Sequence, residues 1–234
     1  MSYSPRSEPA VSEAASTSSS PAVLRARGNL SPRLSTLTAR LPRAELSALM
    51  LLAAVLNLWA LSKNGWANDY YSAAVRSMSS SWHNFLYASA DPSGVMTVDK
   101  PPLALWVQSL SVRVFGYHPL SMLVPQALMG MASVALVYDL VRRWFGRVGG
   151  FAAGLALALT PISVAISRHN NPDALLVLCS TAAIWFAVRA TEDGRTRWLV
   201  LAGVCVGLGF ETKLAIALVV VPGIAAAWVW VAPR

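Results

Sequence analysis

Charge is what this 234-residue chain has least of: 13% of its residues are Asp, Glu, Lys or Arg, about half of the roughly 25% usual in soluble domains. That excludes an ordinary water-soluble globule. With 55% hydrophobic residues and a mean hydropathy of +0.50, the chain reads as a membrane protein. Cysteine is nearly absent. Cys179 and Cys205 both fall in apolar stretches and read as small buried hydrophobes, so no disulfide framework or zinc pattern can be built from them. Also missing are a Gly-rich phosphate loop, a nucleophile elbow and an HExxH pair, which removes the common signatures of nucleotide and hydrolytic chemistry. A secretory signal peptide is not expected, because the first apolar run starts near residue 46 and no small-residue cleavage site follows it.

What charge there is has a net value of +8 and an uneven placement. Residues 1–43 hold six arginines and two glutamates and are rich in Ser, Pro and Ala. Such a composition predicts a disordered tail, and its positive sign beside the first apolar run places it on the cytoplasmic side. Arg40 and Arg43 offer a contact for anionic lipid as an alternative role. The other arginines flank apolar runs instead of forming a patch with aromatics, so nucleic acid is not an expected partner.

The apolar runs predict about five to six membrane segments over residues 44–234. The first is Leu46–Ser62, near the lower limit for crossing about 30 Å of hydrocarbon. A second lies within Leu120–Val141, a third is Val148–Ser167 and a fourth is Ala174–Val188. The loop containing Arg142, Arg143 and Arg147, and the later Arg189, Arg195 and Arg197, mark the cytoplasmic side. The last part, Trp198 onward, is either one helix too long for a single crossing or two crossings broken near Glu211 and Lys213. The chain reads as the N-terminal portion of something larger.

Between the first two spans, residues 63–118 form an external segment dense in aromatics, which favours the membrane–water interface. Asp69–Trp82 is expected to be a short helix with Asn68 as its N-cap. Leu103–Phe115 is too short to span comfortably and is expected to lie in the interface. Threaded this way, Asp69, Asp91, Asp99, Lys100, Arg168, His169 and Asp173 all face the extracytoplasmic side. Polar residues collected at one interface point to a site there.

Each candidate has a bland reading beside the functional one. Asp69 is a helix-start acid that the helix dipole favours, or a reactive carboxylate. Lys100, stiffened by Pro101 and Pro102, is a snorkelling lysine capped by Asp99, or a phosphate ligand at headgroup level. Asn171-Pro172-Asp173 is a strong helix start. Beside it, His169 with a nearby carboxylate could hold a metal, and Arg168 could grip a phosphate. Glu211 and Lys213 sit two apart and do not face each other on a helix. If such a chain transfers a sugar, the lack of a nucleotide-binding domain points to a lipid-linked donor over a nucleotide sugar.

Three motifs carry a family resemblance: Val98-Asp99-Lys100-Pro101-Pro102-Leu103-Ala104-Leu105-Trp106, Val137-Tyr138-Asp139-Leu140-Val141-Arg142-Arg143-Trp144-Phe145-Gly146, and Ser167-Arg168-His169-Asn170-Asn171-Pro172-Asp173. In this order they resemble the polytopic glycosyltransferases related to protein O-mannosyltransferases and lipid A aminoarabinose transferase, over about residues 46–230. The resemblance implies an all-α membrane helical bundle of the GT-C type, with interfacial helices in the first external loop. It implies a polyprenyl-phosphate-sugar donor, an acceptor hydroxyl on a lipid, glycan or protein, and transfer at the extracytoplasmic face of a multi-pass inner-membrane enzyme. By the same resemblance Asp69 is the general base or a ligand of a divalent metal ion, and Lys100 holds the donor phosphate, helped by Arg168 and His169. Asp173 has a supporting or metal-related role. Asn68 stands where many relatives place a second acid, which departs from a bidentate metal site. A transporter or lipid-flipping subunit is the competing class, and a non-catalytic scaffold the third. A transporter would carry its charges along a path near the midplane, not at one interface.

Overall fold

The computed structural model of the protein describes residues 44–231; the tail expected over residues 1–43 lies outside them. Among the described residues the structure is helical, and the only β-pairing is an isolated bridge between Ser89 and Thr97. The expected all-α polytopic bundle is what forms. Helix α1, Ala44–Leu58, continues through a left-handed Ala60 into a 3-10 turn, Leu61–Asn64. Together these 21 residues are long and apolar enough for one crossing.

The next crossings come from one apparent helix, α5, Pro119–Leu159, of 41 residues. It is a hairpin. Gly146 adopts φ 71°, ψ −174°, a conformation essentially confined to glycine, and the chain reverses there. A Cβ added to Gly150 would lie 2.8 Å from the Tyr138 carbonyl, a contact impossible along a straight helix of that length. The turn follows Arg142 and Arg143, where the sequence predicts a short loop. The second arm breaks again at Thr160–Pro161 before α6, Pro161–Ser167, because Pro161 has no N–H to continue the ladder. The expected third span, Val148–Ser167, is thus two helical pieces.

Helix α7, Asp173–Asp193, ends at a left-handed Gly194. Helix α8, Thr196–Lys213, runs back beside it and stops at Leu214, whose φ is 56°. A 3-10 stretch, Leu214–Val220, leads into α9, Val221–Val231. The Gly209 Cβ position lies 3.1 Å from Ala217 Cβ, so the chain folds back at Lys213. The ambiguous last segment is therefore not one continuous helix but is broken at Lys213. Because α8 begins at Thr196 and includes Glu211 and Lys213, it reaches about 27 Å and is not too short.

The bundle packs through small residues, as membrane helices do where lipid offers no hydrophobic driving force. Ala53, Leu49, Val134, Tyr138 and Ala158 join α1 to both arms of the hairpin. At Gly154 a Cβ would come within 2.5 Å of Leu49 Cδ2, so glycine allows this close approach. Arginines gather at one end. Arg147 grips Glu45 through two bonds of 2.7 and 2.6 Å, and Asp139 accepts from Arg142, Arg143 and Trp185.

At the other end, residues 63–118 form a packed cap. Helix α2, Asp69–Ser80, is followed by α3, Trp82–Leu86, and by α4, Leu103–Phe115. Tyr71, Ala74, Val75 and Met78 of α2 bury against Leu105 and Val112 of α4 and Met122 of α5. Arg113 donates to the Met78 and Ser81 carbonyls at the end of α2, with its guanidinium 4.1 Å from the Trp82 ring centroid. Helix α4 keeps the expected bounds and is shorter than a membrane crossing. Its other face packs on Leu175 and Cys179 of α7.

Candidate active site

Several polar residues of the cap end, Asn68, Ser72 and Asn170 among them, meet at the first turn of α2. Asn68 is its N-cap, with Oδ1 accepting from the Tyr71 N–H at 3.2 Å, which satisfies a backbone donor that the helix leaves free. Asp69, the next residue, is exposed. Among the described residues, Asp69 and Glu211 are the two carboxylates with no hydrogen-bond or ion-pair partner in the structure; the others are held by arginine, lysine, tryptophan or backbone N–H groups. A free carboxylate at a helix start can accept a proton from a ligand without first breaking a bond.

What fixes Asp69 in place comes from the distant turn 168–171. Asn170 is fully buried. Its Oδ1 accepts from the Asn68 N–H at 2.8 Å, and its Nδ2 donates to the Asn68 carbonyl at 3.1 Å and to Ser72 Oγ at 2.9 Å. Its own carbonyl accepts from Gln108 Nε2 of α4 at 3.1 Å. Asn64 Nδ2 donates to the Arg168 carbonyl at 2.7 Å. The two external segments are thereby locked together.

Arg168, expected to grip phosphate, directs Nη1 onto the carbonyls of Leu56, Asn57 and Trp59 at 3.0, 3.2 and 2.9 Å. It caps the free carbonyls at the end of α1. Its remaining nitrogens have no hydrogen-bond partner among the described residues. His169 Nδ1 is buried without a partner. Asp173 starts α7, and its carboxylate accepts from Lys213 Nζ of α8 at 2.5 Å, a partnership no sequence spacing announces.

Lys100 pairs with its neighbour: Nζ lies 3.0 Å from Asp99 Oδ2. That bond holds the Lys100 ammonium pKa above its usual value, so the cation persists through the neutral range. The Asp99 N–H donates to Tyr70 Oη at 3.2 Å. Burial, reinforced by Asp99, raises the pKa of the Tyr71 hydroxyl, and Lys100 opposes it.

On α2, Asp69, Ser72, Ala73 and Arg76 share one face. With Trp66 and Tyr117 they line an open groove of about 270 Å³. Lys100 does not line it; Tyr70 and Tyr71, on the rest of the helix circumference, lead toward Asp99. Among the described residues no group of three or more His, Cys, Asp or Glu side chains is placed to hold a metal ion. Asp69 and Asp173 belong to no such group, and Asp173 is engaged by Lys213.

Trp66, Arg76, Tyr117 and Asn170 were not singled out from sequence. Trp66 reads from sequence only as one of several interfacial aromatics, and Asn170, inside the third motif, does not stand out from its neighbours.

A helical bundle with helices long and apolar enough to cross a membrane, capped at one end by a packed segment, defines the class: a polytopic membrane protein. The chain belongs to the dolichyl-phosphate-mannose-protein mannosyltransferase family, whose model matches residues 99–233. Over 76% of its length it is 45% identical to YycA of Bacillus subtilis, which carries the name of a mannosyltransferase, and covers 26% of that protein. It is 32% identical, over 51% of the chain and 21% of the relative, to an undecaprenyl phosphate-alpha-4-amino-4-deoxy-L-arabinose arabinosyl transferase of Pseudomonas fluorescens. It is 30% identical, over 55% of the chain and 25% of the relative, to a polyprenol-phosphate-mannose–protein mannosyltransferase of Corynebacterium glutamicum. The chain thus spans about a quarter of the length of the curated relatives it matches. No solved structure matches it.

Proposed function

We propose that the protein is a membrane glycosyltransferase that moves a sugar from a polyprenyl-phosphate donor to an acceptor hydroxyl at the extracytoplasmic face of the inner membrane. Family membership supports the reaction class, and the names of the relatives support lipid-phosphate donors. Nothing found supports the transporter alternative. The observation that carries the site assignment is the exposed, unpartnered carboxylate of Asp69 on a helix start that Asn170 immobilises. The arginines at the opposite end of the bundle support this sidedness.

In the proposed reaction Asp69 takes the acceptor's hydroxyl proton. The oxygen attacks the anomeric carbon as the bond from that carbon to the phosphate oxygen breaks, which inverts the centre. The leaving group is the polyprenyl phosphate, whose charge Lys100 neutralises. Asp99 keeps that lysine protonated and aimed. Arg168, through its unengaged nitrogens, and His169 are proposed to assist at the phosphate. Asp173 supports the site by holding Lys213.

The test is transfer of labelled sugar from a polyprenyl-phosphate donor in membranes expressing the complete gene product, wild type beside Asp69→Asn. Loss of transfer at normal protein level is expected. Undiminished transfer by Asp69→Asn would overturn the base assignment, and no transfer from any polyprenyl-phosphate sugar by wild type would overturn the reaction.

A further inference from the structure

The groove beside Asp69 has the chemistry of a carbohydrate subsite. We propose that it takes one pyranose ring of the acceptor, stacked on Trp66, with Arg76 and Asp69 bonding its hydroxyls. This rests on the transferase reading above and names the acceptor as a sugar.

The floor of the groove is aromatic and fixed. The rings of Trp66 and Tyr117 stack with centroids 4.6 Å apart and planes 22° from parallel. Tyr117 Oη donates to the Ser72 carbonyl at 3.2 Å, and Ser72 Oγ donates to the Trp66 carbonyl at 2.8 Å. The Arg76 guanidinium sits 5.3 Å from the Tyr117 ring centroid. Held this way, Trp66 is nonetheless 36% exposed. The indole is thus held rigid against Tyr117 while more than a third of its surface stays open. The C–H face of a pyranose carries slight positive charge and suits the negative face of such a ring.

The walls are polar and uncommitted. Asp69 and Arg76 lie two helical turns apart, about 10 Å along the axis, too far to neutralise each other. Neither has an ion-pair partner among the described residues. Ala73 lies between them, and its small side chain leaves the space open. A carboxylate and a guanidinium facing a common gap can each form charge-assisted bonds to ring hydroxyls. At about 270 Å³ the groove falls just below the range of about 300–1,000 Å³ for drug-sized ligands, which fits one ring. An apolar lipid chain would leave both charges unpaired.

The test uses the complete protein in nanodiscs and begins without donor. Saturation-transfer NMR is recorded with methyl α-D-mannopyranoside, with methyl α-D-glucopyranoside and with a Ser/Thr peptide. At least one glycoside is expected to give a signal that Trp66→Ala and Arg76→Ala each lose and Trp66→Phe retains. With a polyprenyl-phosphate sugar added, the ratio of transfer product to free sugar is expected to fall about tenfold in Trp66→Ala, the scale of one aromatic contact. Glycoside binding without turnover would support the subsite while overturning the transferase reading. No Trp66-dependent glycoside signal, a signal from the peptide alone, or an unchanged product ratio would overturn the subsite, and the aromatic retained in Trp66→Phe separates any of these from misfolding.

Discussion

Asn68 and Asn170, 102 residues apart, hold each other twice: the Asn68 N–H donates to Asn170 Oδ1 at 2.8 Å and Asn170 Nδ2 donates back to the Asn68 carbonyl at 3.1 Å. The amide side chain of Asn170 thus acts as a second strand of backbone against the residue before Asp69. Asn170→Asp keeps the shape and the acceptor but replaces the buried donor with a carboxylate oxygen that faces the Asn68 carbonyl and Ser72 Oγ, each of which keeps one bond, from the Ser72 N–H and to the Trp66 carbonyl. The expected cost is about 1–3 kcal/mol, the scale of one buried polar group left without its partner. A thermal unfolding series in detergent checks this. An unchanged Tm would mean that the turn and α2 do not depend on each other.

Asp69 makes the opposite prediction. A carboxylate without a partner contributes little to folding beyond the helix-start charge effect of about 0.3–1 kcal/mol. Asp69→Asn is therefore expected to fold within about 1 kcal/mol of wild type while losing transfer. A large drop in Tm would instead give Asp69 a structural role and weaken its assignment as base.

The pair between Asp173 and Lys213 is half-exposed, with side-chain accessibilities of 26% and 32%, so its attraction is screened. A double-mutant cycle with Asp173→Asn and Lys213→Met is expected to give a coupling of about 1 kcal/mol, between surface and buried pairs. The double change should destabilise less than the sum of the two single changes, because each single change strands a charge beside apolar helix. A coupling of zero would leave the pair as a neighbour contact without energy.

Much of this was legible from residues alone. The apolar runs, the Asn68 cap, the helix over Leu103–Phe115 and the reversal after Arg142 and Arg143 follow from local spacing and appear where expected. What escaped was set by contacts distant in sequence. Nothing in Arg168-His169-Asn170-Asn171 says that Asn170, not Arg168, reaches α2, or that Arg168 turns to the carbonyls ending α1. Lys213 was visible as a costly charge, but its partner lies 40 residues away. Trp66 and Tyr117 meet across the whole external segment, and no period in the sequence links them.

Asp99 and Lys100 set a pH expectation. The Asp99 carboxylate raises the Lys100 ammonium pKa above its ordinary value. A raised lysine pKa means that the interaction is fully present below the unfolded pKa of about 10.4 and is lost as pH rises through the folded pKa. The alkaline limb of the transfer rate is therefore expected to lie above that value, and Asp99→Asn should move it to lower pH. Rate profiles for the two proteins decide it. Coincident alkaline limbs would show that the limb belongs to another group.

The proposed orientation makes a prediction independent of catalysis. Ser93 is exposed in the cap between α3 and α4, and Arg195 is exposed at the opposite end, between α7 and α8. If the cap faces outward, Ser93→Cys should react with a membrane-impermeant maleimide in intact cells, and Arg195→Cys only after permeabilisation. The background must be quiet: Cys179 is buried and Cys205 partly so, and replacing Cys205 with alanine removes the more accessible thiol. The physical reason to expect this pattern is the arginine cluster at the Arg195 end, which resists translocation. Labelling of Arg195→Cys in intact cells, with Ser93→Cys protected, would invert the topology and place Asp69, Lys100 and the groove on the cytoplasmic side, where the proposed reaction could not occur as drawn.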